Sequence, residues 1–185
     1  MPIKADSWIT ASAKKKKIIE PFNEGLNNKG VISYGVSSYG YDFRLGFKFK
    51  EPVDEKSKAV DPKDMAAFKF KSFESKEPFY IKENSIIIAQ SLEFFRIPKK
   101  VLGICFGKST YSRCGLLVNI TPLEPEWEGI ITFPLINNSS HPIKVYPGEG
   151  IAQVIFIESD TVCSTSYADR KGKYQSQKEI TLSKV

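Results

Sequence analysis

From Gly30 to Glu158 the chain is a succession of short runs rich in β-branched and aromatic residues, each closed off by Gly, Pro, Asn or Asp. The runs fall at 41–49, 79–81, 85–92, 101–106, 116–120, 129–136, 143–146 and 151–158. Segments this short, interrupted this often, cannot build long helices, and many strands at such spacing satisfy their edges best in a barrel or a two-sheet sandwich. One helix is expected, from Asp6 to about Ile19, with Asp6 as its N-cap and Trp8, Ile9, Ile18 and Ile19 as its apolar positions. The predicted fold class is therefore mainly β, a distorted barrel or jelly roll with an N-terminal helix and short helical turns. At 185 residues it fits one domain, 1–185. The charged stretch 51–75, with weak alternation around Phe68, Phe70 and Phe73, reads as either an excursion or an edge hairpin.

Lys and Arg outnumber Asp and Glu by 27 to 21, and apart from Lys14 to Lys17 the excess is spread along the chain. Spread charge attracts a small anion without making a nucleic-acid footprint, so no nucleic-acid partner is expected. The first ten residues include Asp6 and Trp8 and lack a signal-type apolar core. No run approaches the ~18 apolar residues of a membrane span, so the chain is read as cytoplasmic with no membrane partner. Cys105, Cys114 and Cys163 are odd in number and suit reduced thiols better than a disulfide framework. The single histidine, His141, sits in a turn-like stretch, no cysteine pair has metal-ligand spacing, and the His-x-Glu and Pro-Cys-x-x-Cys signature of zinc nucleobase deaminases is absent. No tightly bound cofactor is expected. A magnesium ion would arrive with a nucleotide triphosphate, held mainly by phosphate oxygens and water.

The densest chemistry lies in Gly107-Lys108-Ser109-Thr110-Tyr111-Ser112-Arg113, directly after the apolar run 101–106. Cations, hydroxyls and a phenol packed this closely form a donor set suited to a polyphosphate. This is not a P-loop, because Leu102 stands where that motif needs its first glycine and strand-like residues replace the glycine-rich turn. The stretch reads instead as a strand delivering a short helical turn, 109–113, on which Ser109 and Arg113 share a face. The plainer alternative is a polar loop that caps the strand. Downstream comes the acidic tryptophan loop Glu124-Pro125-Glu126-Trp127-Glu128-Gly129.

Several blocks, in order and over nearly the whole chain, resemble dCTP deaminase. They are Ser33-Tyr34-Gly35 with Ser38-Tyr39-Gly40-Tyr41-Asp42-Phe43-Arg44-Leu45-Gly46, the Gly107 to Gly115 block, Asn119 through Gly129, Tyr146 through Gln153, and Ser166 through Gln175. The resemblance implies a metal-free deaminase of the trimeric dUTPase-like (β-clip) fold, a homotrimer with shared active sites, in which a C-terminal segment, about 166–185, closes over the nucleotide. The implied reaction takes dCTP and water to dUTP and ammonia, with dUTP and dTTP as further nucleotide partners. It places Lys108, Ser109, Thr110, Tyr111, Ser112 and Arg113 on the triphosphate and Ser109 near the reacting base. Thr132, Phe133, Gln153, Tyr167, Lys173 and Gln177 complete the implied pocket. Without the resemblance, the polar basic tail 167–177 reads as frayed.

The chain departs from the family at Pro134, which stands where the family carries its catalytic glutamate. Proline has no ionisable atom and no backbone donor, so it cannot shuttle a proton from water to cytosine. Inside a strand it is also expected at an edge or a bulge. Two alternatives follow. Glu124, in a stretch that also resembles the water-activating dUTPase motif, would support dUTP or dCTP phosphohydrolysis, or the chain would be a catalytically silent deoxynucleotide-binding homologue.

Overall fold

A computed structural model describes residues 2–53 and 59–184. The elements are helix α1 (Asp6–Lys16), strands β1 (Ile19–Glu20), β2 (Gly35–Ser37) and β3 (Gly40–Pro52), a 3-10 turn (Met65–Ala67), and strands β4 (Phe70–Glu74), β5 (Phe79–Ile81), β6 (Ile86–Arg96) and β7 (Val101–Gly107). There follow the one-turn helix α2 (Ser109–Ser112) and strands β8 (Leu116–Val118), β9 (Glu128–Asn137), β10 (Ile143–Val145) and β11 (Gly150–Glu158). The main sheet runs in the order β7-β11-β3-β6-β9-β8 and curls into a nearly closed barrel; β1 adds to β6, β2 and β4 add to β3, and β5 pairs with β10 apart. The expected mainly β barrel is therefore the observed architecture. Among the described residues no helix is long and apolar enough to cross a membrane.

Period-two patterning explains the core. Ile87, Ala89 and Phe95 of β6 and Ile131, Phe133 and Leu135 of β9 are buried, and Ile88, Thr132, Pro134 and Ile136 face outward, half-buried. Phe43 lies edge-on to Phe95 at 5.7 Å and to Phe133 at 6.0 Å, between ring centroids. Such aromatic geometry adds about 0.5–1.5 kcal/mol per pair beyond area burial.

Three expectations need correction or completion. The helix N-cap is Ala5, because the Ile9 N–H already donates to the Ala5 carbonyl at 3.0 Å. Asp6 lies in the first turn, where its charge complements the helix dipole. The helix stops at Lys16, with Lys17 left-handed at φ 53°. Ile18 and Ile19 are buried beyond it, and Ile19 pairs with Phe95 as β1, in keeping with the preference of β-branched side chains for extended backbone. Of the two readings of 51–75, the edge hairpin is the one present: β4 pairs with β3 from Lys48↔Glu74 to Pro52↔Phe70, and Phe73 stacks on Phe49 at 5.2 Å. Residues 54–58 of that stretch lie outside the described residues.

Pro134 is not bulged. The β6–β9 register runs unbroken from Ile86↔Ile136 through Ile88↔Pro134 to Gln90↔Thr132. On the other side β8 ends at Val118 opposite Leu135, so the ladder there has already stopped when the chain reaches Pro134. The irregularity is on β6, where Ser91, Leu92 and Glu93 stand opposite Ile131 alone. The Ser91 hydroxyl fills the gap: it accepts from the Ile131 N–H at 2.8 Å and donates to the Glu93 carbonyl at 2.7 Å. The Glu93 side chain is fully buried and accepts from Arg44 Nε at 2.7 Å and the Arg44 N–H at 2.9 Å. Burial pushes its carboxyl above the usual range, and Arg44 works against that shift. Ser91→Ala strands the buried Ile131 N–H and is expected to cost about 1–3 kcal/mol. A urea titration should show a lower midpoint with an unchanged slope.

Candidate functional site

The first cluster forms where β7 runs into α2. The Tyr111 and Ser112 N–H groups both donate to the Lys108 carbonyl at 3.0 Å, and the Arg113 N–H donates to the Ser109 carbonyl at 3.1 Å, so the helical turn is present and the plain capping loop is not. Ser109, Thr110, Ser112 and Arg113 are exposed. Tyr111 points inward; it is 3% exposed, its hydroxyl accepts from the Tyr146 N–H at 3.1 Å, and burial raises its phenol pKa. Its side chain is a core element of the turn. Lys108 extends back to Asp42, Nζ to Oδ2 2.6 Å, and the same carboxylate accepts from Gln153 Nε2 at 3.0 Å; Gln153 also donates to Ser37 Oγ at 3.0 Å. Gly150 makes this approach possible, because a Cβ there would lie 1.9 Å from the Ser33 carbonyl oxygen and 3.1 Å from Lys108 Cδ. Asp42 escaped the sequence reading as a site residue. The available signal was a carboxylate set between Tyr41 and Phe43 in a strand run.

The second cluster is a cavity of about 550 Å³ whose lining includes Leu123, Glu124, Trp127, Thr132, Tyr167 and Gln177. The tail forms one wall and is docked, not frayed. Tyr167 N–H donates to the Pro125 carbonyl at 3.0 Å, Trp127 Nε1 to the Tyr174 carbonyl at 3.0 Å, and Ser176 N–H to the Glu128 carbonyl at 2.9 Å. Gln177 forms a parallel bridge with Gly129; its carbonyl accepts from the Ile130 N–H at 3.0 Å and its Nε2 donates to the Ile130 carbonyl at 2.7 Å. Farther along, the Thr181 N–H donates to Thr132 Oγ1 at 3.3 Å. Arg170 of the tail makes an ion pair with Glu124. Lys173 is exposed, donates to the Lys184 carbonyl at 3.1 Å, and does not itself line the cavity.

The structure thus sorts the expected residues into two groups. Lys108 and Gln153 meet at Asp42, while Glu124, Thr132, Tyr167 and Gln177 meet at the cavity. Among the described residues no hydrogen bond or ion pair joins the Lys108 turn to the tail. Phe133 lies between the outward Thr132 and Pro134, but its own side chain is 1% exposed in the core, leaving only main-chain groups for a ligand. Glu124 is the only carboxylate lining the cavity among the described residues. No group of three or more His, Cys, Asp or Glu there is placed to hold a metal ion, and His141 is exposed. The three cysteines are free; Cys114 is exposed, whereas burial pushes the Cys105 thiol up to about 12.

Residues 3–159 match the family described as dCTP deaminase-like. A dCTP deaminase of Paramagnetospirillum magneticum is 51% identical over 185 residues, covering all of both chains. One of Nitrosococcus oceani is 52% identical over 189 aligned positions, again covering all of both. Among solved structures, the 2'-deoxycytidine 5'-triphosphate deaminase from Agrobacterium tumefaciens superposes with a TM-score of 0.63 at 16% identity. That match covers 83% of this chain but 47% of the solved one, so the present chain spans about half its length and the likeness concerns the fold.

The tail depends on Gly172, where a Cβ would lie 2.1 Å from Tyr167 Cε1, while the Tyr167 hydroxyl accepts from the Tyr174 N–H at 3.0 Å. Gly172→Ala should push Tyr167 off its seat. Amide exchange at Tyr174 and Ser176 is expected to quicken by about tenfold or more, with exchange at Phe43 and Phe133 unchanged.

Proposed function

The chain belongs to the dCTP deaminase-like family, and from that premise we propose that it binds dCTP and removes its 4-amino group, with water, to give dUTP and ammonia. The observation that carries this reading is the pairing of a full-length family match with a cavity walled by the tail and the tryptophan loop. At about 550 Å³ the cavity falls within the ~300–1,000 Å³ range of small-ligand sites. In this assignment the exposed hydroxyls of Ser109, Thr110 and Ser112, with Lys108 and Arg113, take the triphosphate. The cavity takes the nucleoside, beneath Tyr167 and Gln177. A homotrimer would bring the Lys108 turn of one subunit to the tail side of another, so that the two groups form one site. The segment from Ser166 onward is the closing element. No protein-held metal enters this assignment, and any magnesium would travel with the triphosphate.

The chemistry needs a C–O bond to form at C4, the C4–N4 bond to break, and protons to pass from water to the ring and the departing amine. Pro134 cannot carry them. Loss of a general base typically slows such a step by ~10² to 10⁴, about 3–5 kcal/mol of barrier. The reading is therefore of a slow deaminase with its substrate contacts kept. Phosphohydrolysis through Glu124 ranks second, because that carboxylate is engaged by Arg170 and would first have to be released to serve as a base.

Purified protein with dCTP should release ammonia slowly and no pyrophosphate. Pro134→Glu should raise kcat by about 10² to 10⁴ and move KM far less. Pyrophosphate as the product, or no binding of dCTP, would overturn the assignment; binding with neither product, in both the wild-type and the Pro134→Glu chain, would leave the silent homologue.

A further inference from the structure

Asp42 stands between Tyr41 and Phe43, both buried in the core, and alternation turns it to the outward face of β3. It is nonetheless only 5% exposed. Its ladder neighbours are Gly35 of β2, which carries no side chain, and Gln153 of β11. Both carboxylate oxygens are engaged, Oδ2 by Lys108 Nζ at 2.6 Å and Oδ1 by Gln153 Nε2 at 3.0 Å. The amide is fixed in turn by Ser37, whose hydroxyl accepts from Nε2 at 3.0 Å and donates to the Gly40 carbonyl at 3.1 Å. Gly40 leaves room for it, since a Cβ there would lie 2.9 Å from Gln153 Cδ. The Lys108 side chain is 11% exposed, and among the described residues its Nζ makes no hydrogen bond other than that to Asp42.

A buried pair of opposite charges adds little to stability, because lost hydration offsets most of the attraction. Its consequence falls on any anion that comes to the same ammonium. Resting on the dCTP reading above, in which Lys108 takes the triphosphate, we infer that Asp42 is a positioning residue that holds Lys108 back and so limits how tightly the site grips a polyphosphate. Two effects compete. A lysine kept in one rotamer spares an incoming phosphate the ordering of that side chain, which favours binding by about twofold to tenfold. A carboxylate sharing the ammonium stands ~6 Å from the phosphate, and at an effective dielectric constant of about 20 it opposes each phosphate charge there by about a hundredfold. Repulsion is the larger effect even after partial screening, because Asp42 is shielded from water. The ammonium has three N–H donors, so it is shared with the phosphate, and its bond to Oδ2 loosens. Gln153, bonded to the same carboxylate, shifts with it.

The test is calorimetry of dCTP binding to the full chain. Asp42→Asn, which keeps the shape and removes the charge, should bind dCTP at least about tenfold more tightly than the wild-type chain. A merely structural support, once lost, would weaken binding instead. Asp42→Glu keeps the charge and should show no gain. Unchanged or weaker binding in a folded Asp42→Asn chain overturns the inference, as does an equal gain in Asp42→Glu. If Asp42→Asn does not fold, the wild-type chain decides: inorganic tripolyphosphate should shift the Gln153 side-chain amide signals in a proton–nitrogen NMR spectrum, and signals that stay fixed overturn the inference. Binding of tripolyphosphate without binding of dCTP would instead strike at the dCTP reading itself.

Discussion

The pairing of β6 with β9 is the constraint on which the rest of the structure depends. A slip of one residue would turn every side chain to the other face, exposing Phe133 and burying Thr132. That register is held from inside. Ser91 closes the gap left by the extra residues of β6, and Glu93 ties the same stretch to Arg44 of β3. The cavity wall at Thr132 and the outward Pro134 are both consequences of this one alignment.

Electrostatics at the site are more restrained than the overall charge of +6 suggests. Lys108 is answered by Asp42, and Arg170 by Glu124. Arg113 is exposed, with no ion-pair partner among the described residues, so on the proposed assignment a polyphosphate meets it and the serine and threonine hydroxyls first. Reaching Lys108 means sharing it with Asp42, a carboxylate only 5% exposed and therefore weakly screened. Gln153 is drawn in as well, because it donates to the same carboxylate. On the proposed assignment, phosphate engagement and the geometry of Gln153 are coupled through one acid.

Much of the fold could be read from the sequence, because alternation of apolar and polar residues is a direct imprint of a two-faced strand. The run 79–81 became β5 unchanged, and 101–106 became β7 with one added residue. What escaped depended on partners that a linear pattern does not reveal. The expected bulge at Pro134 followed from proline chemistry alone, and the end of β8 at Val118 removes the need for it. Tyr111 and Phe133 sit within site-like blocks yet point into the core, as the alternation around Phe133 already implied. Asp42 was passed over because a single polar residue in an apolar run gives no clue to what it faces. The docked tail was legible only through family resemblance, since its anchors are mostly main-chain groups of residues 125–130.

The position of Pro134 separates recognition from chemistry in physical terms. Its ring carries no ionisable group and stands on a face otherwise made of Ile88, Ile136, Thr132 and Gln90, where it disturbs neither the ladder nor the core behind it. On the deaminase reading, the triphosphate contacts act in both ground and transition states, whereas the missing carboxylate would act chiefly in the transition state. Occupancy of the site at a given dCTP concentration is then set by groups that remain, and turnover by one that does not. On that reading the bound complex, not the product, is the dominant state whenever dCTP is abundant.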